Sequence, residues 1–124
     1  MSGDAGGTER AAADDEEVVD LLGDDYVRTI LVETREEPKS VDTLSAACGA
    51  DPSTIYRRVE RLREAGLLVS HQRLDPDGHH YKEYGAALRA VTVRIDPDGY
   101  EVELDRAPEE DPADRFTRLY EGFK

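Results

Sequence analysis

The chain of 124 residues has no tryptophan, one cysteine, one methionine and only three lysines, Lys39, Lys82 and Lys124. A single cysteine, Cys48, excludes an intramolecular disulfide and a four-cysteine zinc site. No apolar run approaches the roughly 20 residues that a membrane-spanning helix needs. The first 13 residues are small, polar and acidic, without the basic start and apolar stretch of a secretory signal. A soluble cytoplasmic protein is therefore expected. A Gly-rich phosphate loop and a nucleophile elbow are both missing. Carboxylates are so abundant that no two of them stand out as an acid and base pair. Neither an enzyme nor a cofactor is expected.

Positive charge is scarce as well, with 16 Lys and Arg against 29 Asp and Glu, a net of −13. A dense carboxylate surface holds hydrated cations when salt is molar and repels itself when salt is low. Acid-rich, lysine-poor surfaces resemble those of proteins from salt-loving archaea. The acidity runs the whole length rather than sitting in one block, which favours that halophilic reading over an acidic tail. The charge is uneven all the same. Residues 1–52 carry a net of −10, residues 53–94 a net of +3 and residues 95–124 a net of −6.

The length suggests one domain with a core of about 80–90 ordered residues. Residues 1–14 lack periodicity and read as a disordered acidic tail. A short helical turn at 16–22 ends at Gly23. A firmer helix then begins at Asp24-Asp25, with Val27, Ile30, Leu31 and Thr34 on one face and Pro38 as its stop. Ser40 is an N-cap for the next helix, whose inner face reads as Leu44, Ala47 and Cys48 and whose end is Gly49. Asp51 caps again, Pro52 takes the first helical position, and Ile55, Val59 and Leu62 form a buried stripe up to Gly66. Two short helices joined by a glycine-containing turn, within Ser40–Leu68, are the sequence form of a helix-turn-helix.

Two hairpins follow. LLVSHQRL and HHYKEYGAAL flank a first DPDG at 75–78, and AVTVRI and YEVEL flank a second at 96–99. In the second, Val91, Val93, Ile95, Tyr100, Val102 and Leu104 alternate with polar residues and define one apolar face. Asp111-Pro112 opens a C-terminal amphipathic helix with Phe116, Leu119, Tyr120 and Phe123 on one side. The expected fold is α+β, a winged helix-turn-helix (three-helix core and β-hairpin wing) with an additional C-terminal β-hairpin and helix. Its divisions are 1–14 (tail), 15–90 (DNA-binding domain), 91–105 (hairpin extension) and 106–124 (linker and helix).

A recognition helix contacts the major groove with its N-terminal residues. Over 52–65 those are Ser53, Thr54, Tyr56, Arg57 and Arg61. Arginine is the natural donor pair for guanine, and Ser, Thr and Tyr suit phosphates and base edges. Glu60 and Glu64 would pair with neighbouring arginines, and an arginine face laced by such pairs is the bland alternative. Arg73, His79, His80 and Lys82 flank the wing tip, where they could reach phosphates or the minor groove. Asp75 and Asp77 at that tip oppose close backbone contact. His79 and His80 point to opposite faces of a strand, so no metal site is expected among the histidines.

The stretch DTLSAACGADPSTIYRRVERLREAGLLVSHQRLDPDGHHYKEY resembles winged-helix regulators of the ArsR-like superfamily, in their haloarchaeal branch. The resemblance covers about 65 residues, Tyr26 to Leu88, and rests on the Thr-x-x-Arg start, the "RLREAGLL" ending and the hairpin. It implies a homodimeric, sequence-specific regulator that binds double-stranded DNA. The Cys-rich metal-sensing motif of some members is absent, so metal sensing is not implied. The amphipathic C-terminus either folds back on its own domain or buries against a second subunit. Dimerisation is the favoured role, since such proteins read two half-sites, and the helix at Tyr26–Glu36 is a second dimer surface to consider. The rival function is a winged helix that binds other proteins within a transcription complex.

Overall fold

A computed structural model describes residues 8–9 and 15–106. In chain order the elements are β1 (Thr8–Glu9), α1 (Asp15–Leu22), α2 (Asp25–Glu36), α3 (Val41–Cys48), α4 (Pro52–Glu64), β2 (Leu68–Leu74), β3 (His80–Ala86), β4 (Leu88–Asp96) and β5 (Gly99–Arg106). Four helices and two antiparallel hairpins make an α+β fold. The amphipathic stretch from Asp111 onward lies outside the described residues, as do all but two positions of the N-terminal tail. Those two, Thr8 and Glu9, form a strand within the stretch expected to be disordered, pairing antiparallel with Asp105 and Leu104 on the outer side of β5.

Side-chain caps set the helix starts. Asp24 Oδ1 accepts the N–H groups of Tyr26 and Val27 at the head of α2, and Ser40 Oγ accepts that of Thr43 at the head of α3. Gly49, at φ 64° and ψ 37°, closes α3 in the left-handed region and turns the chain into α4. At the other end of α4, Leu67 N–H bonds to Leu62 C=O and Gly66 N–H to Arg63 C=O. This pair of bonds around a positive-φ glycine satisfies the last carbonyls and launches β2.

One core joins the whole. Val18 and Leu21 of α1, Val27 and Ile30 of α2, Leu44 of α3 and Ile55, Val59 and Leu62 of α4 are buried together with Leu68, Tyr84, Val102 and Leu104 of the strands. The stripes read for α2 and α4 are inward, though Leu31 is only half-buried. In α3 the reading needs correction: Ala47 is exposed, and Ser45 takes the buried place beside Leu44. Ser45 can be there because its hydroxyl donates to the Ala50 carbonyl across the turn, so burial leaves no polar atom unsatisfied. Thr34 solves the same problem by donating to Ile30 C=O at 2.8 Å.

The β2–β3 hairpin runs in register from Leu68↔Ala86 to Leu74↔His80. Lys39, in the α2–α3 connection, adds a rung by exchanging backbone bonds with Tyr84. This clamps the hairpin to the helices, and no sequence pattern announced it. The strand read as continuous through GAAL breaks at Ala87. From Leu88 the chain belongs to the second sheet, ordered β1-β5-β4. A domain boundary at 90/91 therefore falls inside β4, and the second hairpin shares the common core rather than standing apart.

Candidate nucleic-acid interface

The turn from Gly49 to Asp51 presents the N-terminal half of α4 to solvent. Asp51 accepts both the N–H and the hydroxyl of Ser53, and those bonds hold its carboxyl below the usual aspartate range. The Ser53 proton is thereby committed, and a carboxylate sits where an anion would otherwise meet the helix N-terminus. Thr54 is half-buried, whereas Tyr56 and Arg57 are exposed. Arg57 makes no hydrogen bond or ion pair among the described residues.

The other arginines of α4 already face carboxylates. Arg58 Nε meets Asp24 Oδ2 at 2.9 Å, Arg61 lies 3.5 Å from Glu17 of α1, and Arg63 meets Glu60 at 2.8 Å. Glu60 thus pairs with Arg63, not with Arg57 or Arg61. That bond holds its carboxyl below the usual range, with Lys82 and the Tyr84 hydroxyl acting in the same direction. Burial and the nearby Glu60 push the Tyr84 phenol up, so it remains protonated and can donate to Glu60. Arg57, Arg58 and Arg61 line one side of a shallow cleft whose other side includes Asp20 and Asp24. Arg61, nominated for a groove contact, therefore shares its charge with α1. Sequence reading missed that partner because α1 was read only as a short helical turn, with no packing partner assigned to it.

On the β2–β3 hairpin the nominated residues separate. The register puts Lys82 opposite Gln72 and Arg73 opposite Tyr81, so the two cations lie on opposite faces. Lys82 shares the face of Tyr84, which turns to α4. It is exposed, with no hydrogen bond or ion pair among the described residues. Arg73 is held by Glu83 at 2.8 Å on the other face. His79 at the tip is well exposed, 3.6 Å from Asp75.

Asp75, Asp77 and His79 place ligand atoms within 4.8 Å of one another. The turn itself accounts for the approach. Asp75 Oδ1 accepts the backbone N–H groups of Asp77 and His79, closing the loop around Gly78 at φ 89°. Cys48 is half-buried against Tyr26 C=O. Burial, with Glu33 and Asp25 nearby, pushes its thiol up and leaves little reactive thiolate.

A family model described as a helix-turn-helix domain matches residues 22–71, the span from the end of α1 through α2, α3 and α4 into β2. No curated protein matches the chain. Residues 22–71 are thus similar to helix-turn-helix domains, and within them α3 and α4 form a capped helix pair joined by a turn at Gly49. Among the described residues no helix is long and apolar enough to cross a membrane.

Proposed function

We propose that this chain is a sequence-specific double-stranded DNA-binding transcriptional regulator of the winged-helix, ArsR-like type. In this reading α4 enters the major groove, the β2–β3 hairpin is the wing, and a homodimer reads two half-sites. The observation that carries it is Arg57. It is an exposed guanidinium, unpaired among the described residues, on the outward side of a helix fixed by two caps, in the one basic window of an acidic chain. Arg57 and Tyr56 make the base-edge contacts, Arg61, Thr54 and Ser53 support them, and Lys82, Arg73 and His79 approach phosphates from the wing. The acidic surface belongs to a halophilic, archaeal, cytoplasmic protein that works in high salt, where cations bridge carboxylates to phosphates.

Gel shifts on the protein's own promoter at high salt test this. Arg57→Ala with Arg61→Ala should abolish specific binding, and unchanged binding would remove α4 from the interface.

The carboxylates that answer Arg58, Arg61 and Arg63, together with the net charge of −13, favour a second reading. There the same domain binds another protein of a transcription complex. Ordinary DNA binding weakens as salt rises, through counterion release. A titration from low to molar potassium with no measurable DNA affinity at any point selects this second reading.

A further inference from the structure

α1 and α2 face α4 across a cleft of about 200 Å³. Its apolar lining comes from Leu21 of α1 and Val27 of α2, both of which belong to the core. The rest of the lining is charged, and most of that charge is already answered. Arg58 is held by Asp24 at 2.9 Å, and Arg61 lies 3.5 Å from Glu17. Two lining groups are left over, Asp20 on the last turn of α1 and Arg57 on α4. Both are exposed, and neither side chain makes a hydrogen bond or ion pair among the described residues. A carboxylate and a guanidinium thus share one cleft without meeting, and the space has a negative and a positive end.

We infer that this cleft binds a small zwitterion, a free α-amino acid with a short aliphatic side chain. Its ammonium group pairs with the Asp20 carboxylate. Its carboxylate takes the Arg57 guanidinium, a planar fork that matches two carboxylate oxygens. Arg61, one turn further along α4, adds positive charge at the same end. The aliphatic group lies on Leu21 and Val27. Size limits the choice. A water takes up about 30 Å³ of liquid, so the cleft holds roughly seven, which a molecule of valine's size replaces and a nucleotide exceeds.

Charge limits it further. A simple anion gains Arg57 but is repelled by Asp20, Asp24 and Glu17. A simple cation gains Asp20 but meets three arginines. Only a molecule that carries both charges suits both ends. Binding of this ligand stands apart from the regulatory reading, but its consequence rests on that reading. A ligand on Arg57 occupies the guanidinium that α4 offers to base edges, so a filled cleft and bound DNA exclude one another.

Titrating the isotope-labelled full chain in molar potassium chloride, read by amide NMR, tests the site without DNA. The probes are L-valine, isovalerate, which lacks the ammonium group, and isobutylamine, which lacks the carboxylate. Valine should give saturable shifts in the amides of 20–24 and 57–61, with a dissociation constant on the order of millimolar, as suits a small ligand in an open cleft. Each half-molecule should bind about tenfold more weakly, the loss expected for one charge-assisted contact. Asp20→Asn and Arg57→Gln change exposed side chains and should leave the rest of the spectrum in place. Each should weaken valine about tenfold, and Asp20→Asn should bring isovalerate level with valine. Three results would overturn the proposal. One is no saturable shift from valine up to ~50 mM. Another is isovalerate binding the unaltered chain as tightly as valine, which would make the cleft a plain anion site. The third is valine binding that survives both substitutions. No duplex is present in these titrations, so this inference and the regulatory reading fail separately. Valine that binds yet leaves promoter affinity unchanged would overturn the exclusion of DNA.

Discussion

Arg58 Nε donates to Asp24 Oδ2 at 2.9 Å, 34 positions back in the chain, while its guanidinium lies 5.0 Å from the centre of the Tyr26 ring. The other oxygen of the same carboxyl caps α2. One side chain therefore caps the start of α2 and ties it to α4. Replacing Asp24 with Ala removes both. A lost cap costs about 0.5–2 kcal/mol, and a part-exposed ion pair adds at most about 1 kcal/mol. We expect Asp24→Ala to lower the urea midpoint by the equivalent of roughly 1–2 kcal/mol with the slope unchanged. Asp24→Asn keeps cap geometry and should lose distinctly less.

The same residue gives stability a pH dependence. Burial alone would raise the Asp24 carboxyl, but Arg58 and the N–H groups of Val27 and Tyr26 outweigh it and hold it below its ordinary value. Glu60, bonded to Arg63, and Asp51, bonded to Ser53, are lowered too. A carboxylate lowered by folding contributes stability that is fully present above its unfolded value, about 4. That contribution is lost as pH falls through the lowered folded value. Unfolding free energy should thus be flat with respect to these groups at neutral pH and should decline below about pH 4. Asp24→Asn should flatten that decline. An identical acid limb in the variant would show that Asp24 titrates alike in both states.

Much of this arrangement could be read from the chain before any coordinates. The caps Ser40, Asp51 and Pro52, the glycine stops and the stripe Ile55-Val59-Leu62 are local signals, and each marked its element correctly. What escaped was non-local. Ser45 is buried because a carbonyl five residues away takes its hydroxyl, whereas helical spacing alone favoured Ala47. Lys39 pairs with Tyr84 through backbone groups, which no side-chain pattern reveals. The partners of Arg58 and Arg61 sit 34 and 44 positions away, so arginines that look equivalent along α4 differ in how free they are.

That difference predicts an affinity change. Glu17 lies 3.5 Å from Arg61, and both side chains are substantially exposed. A DNA phosphate arriving at Arg61 must compete with this carboxylate. Exposed pairs are worth little, so Glu17→Gln should tighten DNA binding by only about two- to five-fold. The gain should shrink as salt screens the pair. Fluorescence anisotropy on a promoter fragment at two salt concentrations measures it. Weaker binding by Glu17→Gln would mean that Glu17 orients Arg61 instead of competing for it.

The hairpin makes the last prediction, because Arg73 and Lys82 lie on opposite faces of it. Arg73 is held by Glu83 at 2.8 Å, whereas Lys82 is exposed on the face that Tyr84 turns toward α4. A groove entered by α4 brings phosphates to that second face. Lys82→Ala should therefore weaken binding to specific and unrelated duplexes alike, and should lower the slope of log affinity against log salt by about 1. Arg73→Ala should leave the slope nearly unchanged and instead release Glu83. The reverse ranking would place the DNA on the outer side of the hairpin, with Tyr81 and His71 facing it. Equal, negligible effects from both substitutions would mean that the hairpin does not touch DNA and that α4 alone carries the contact.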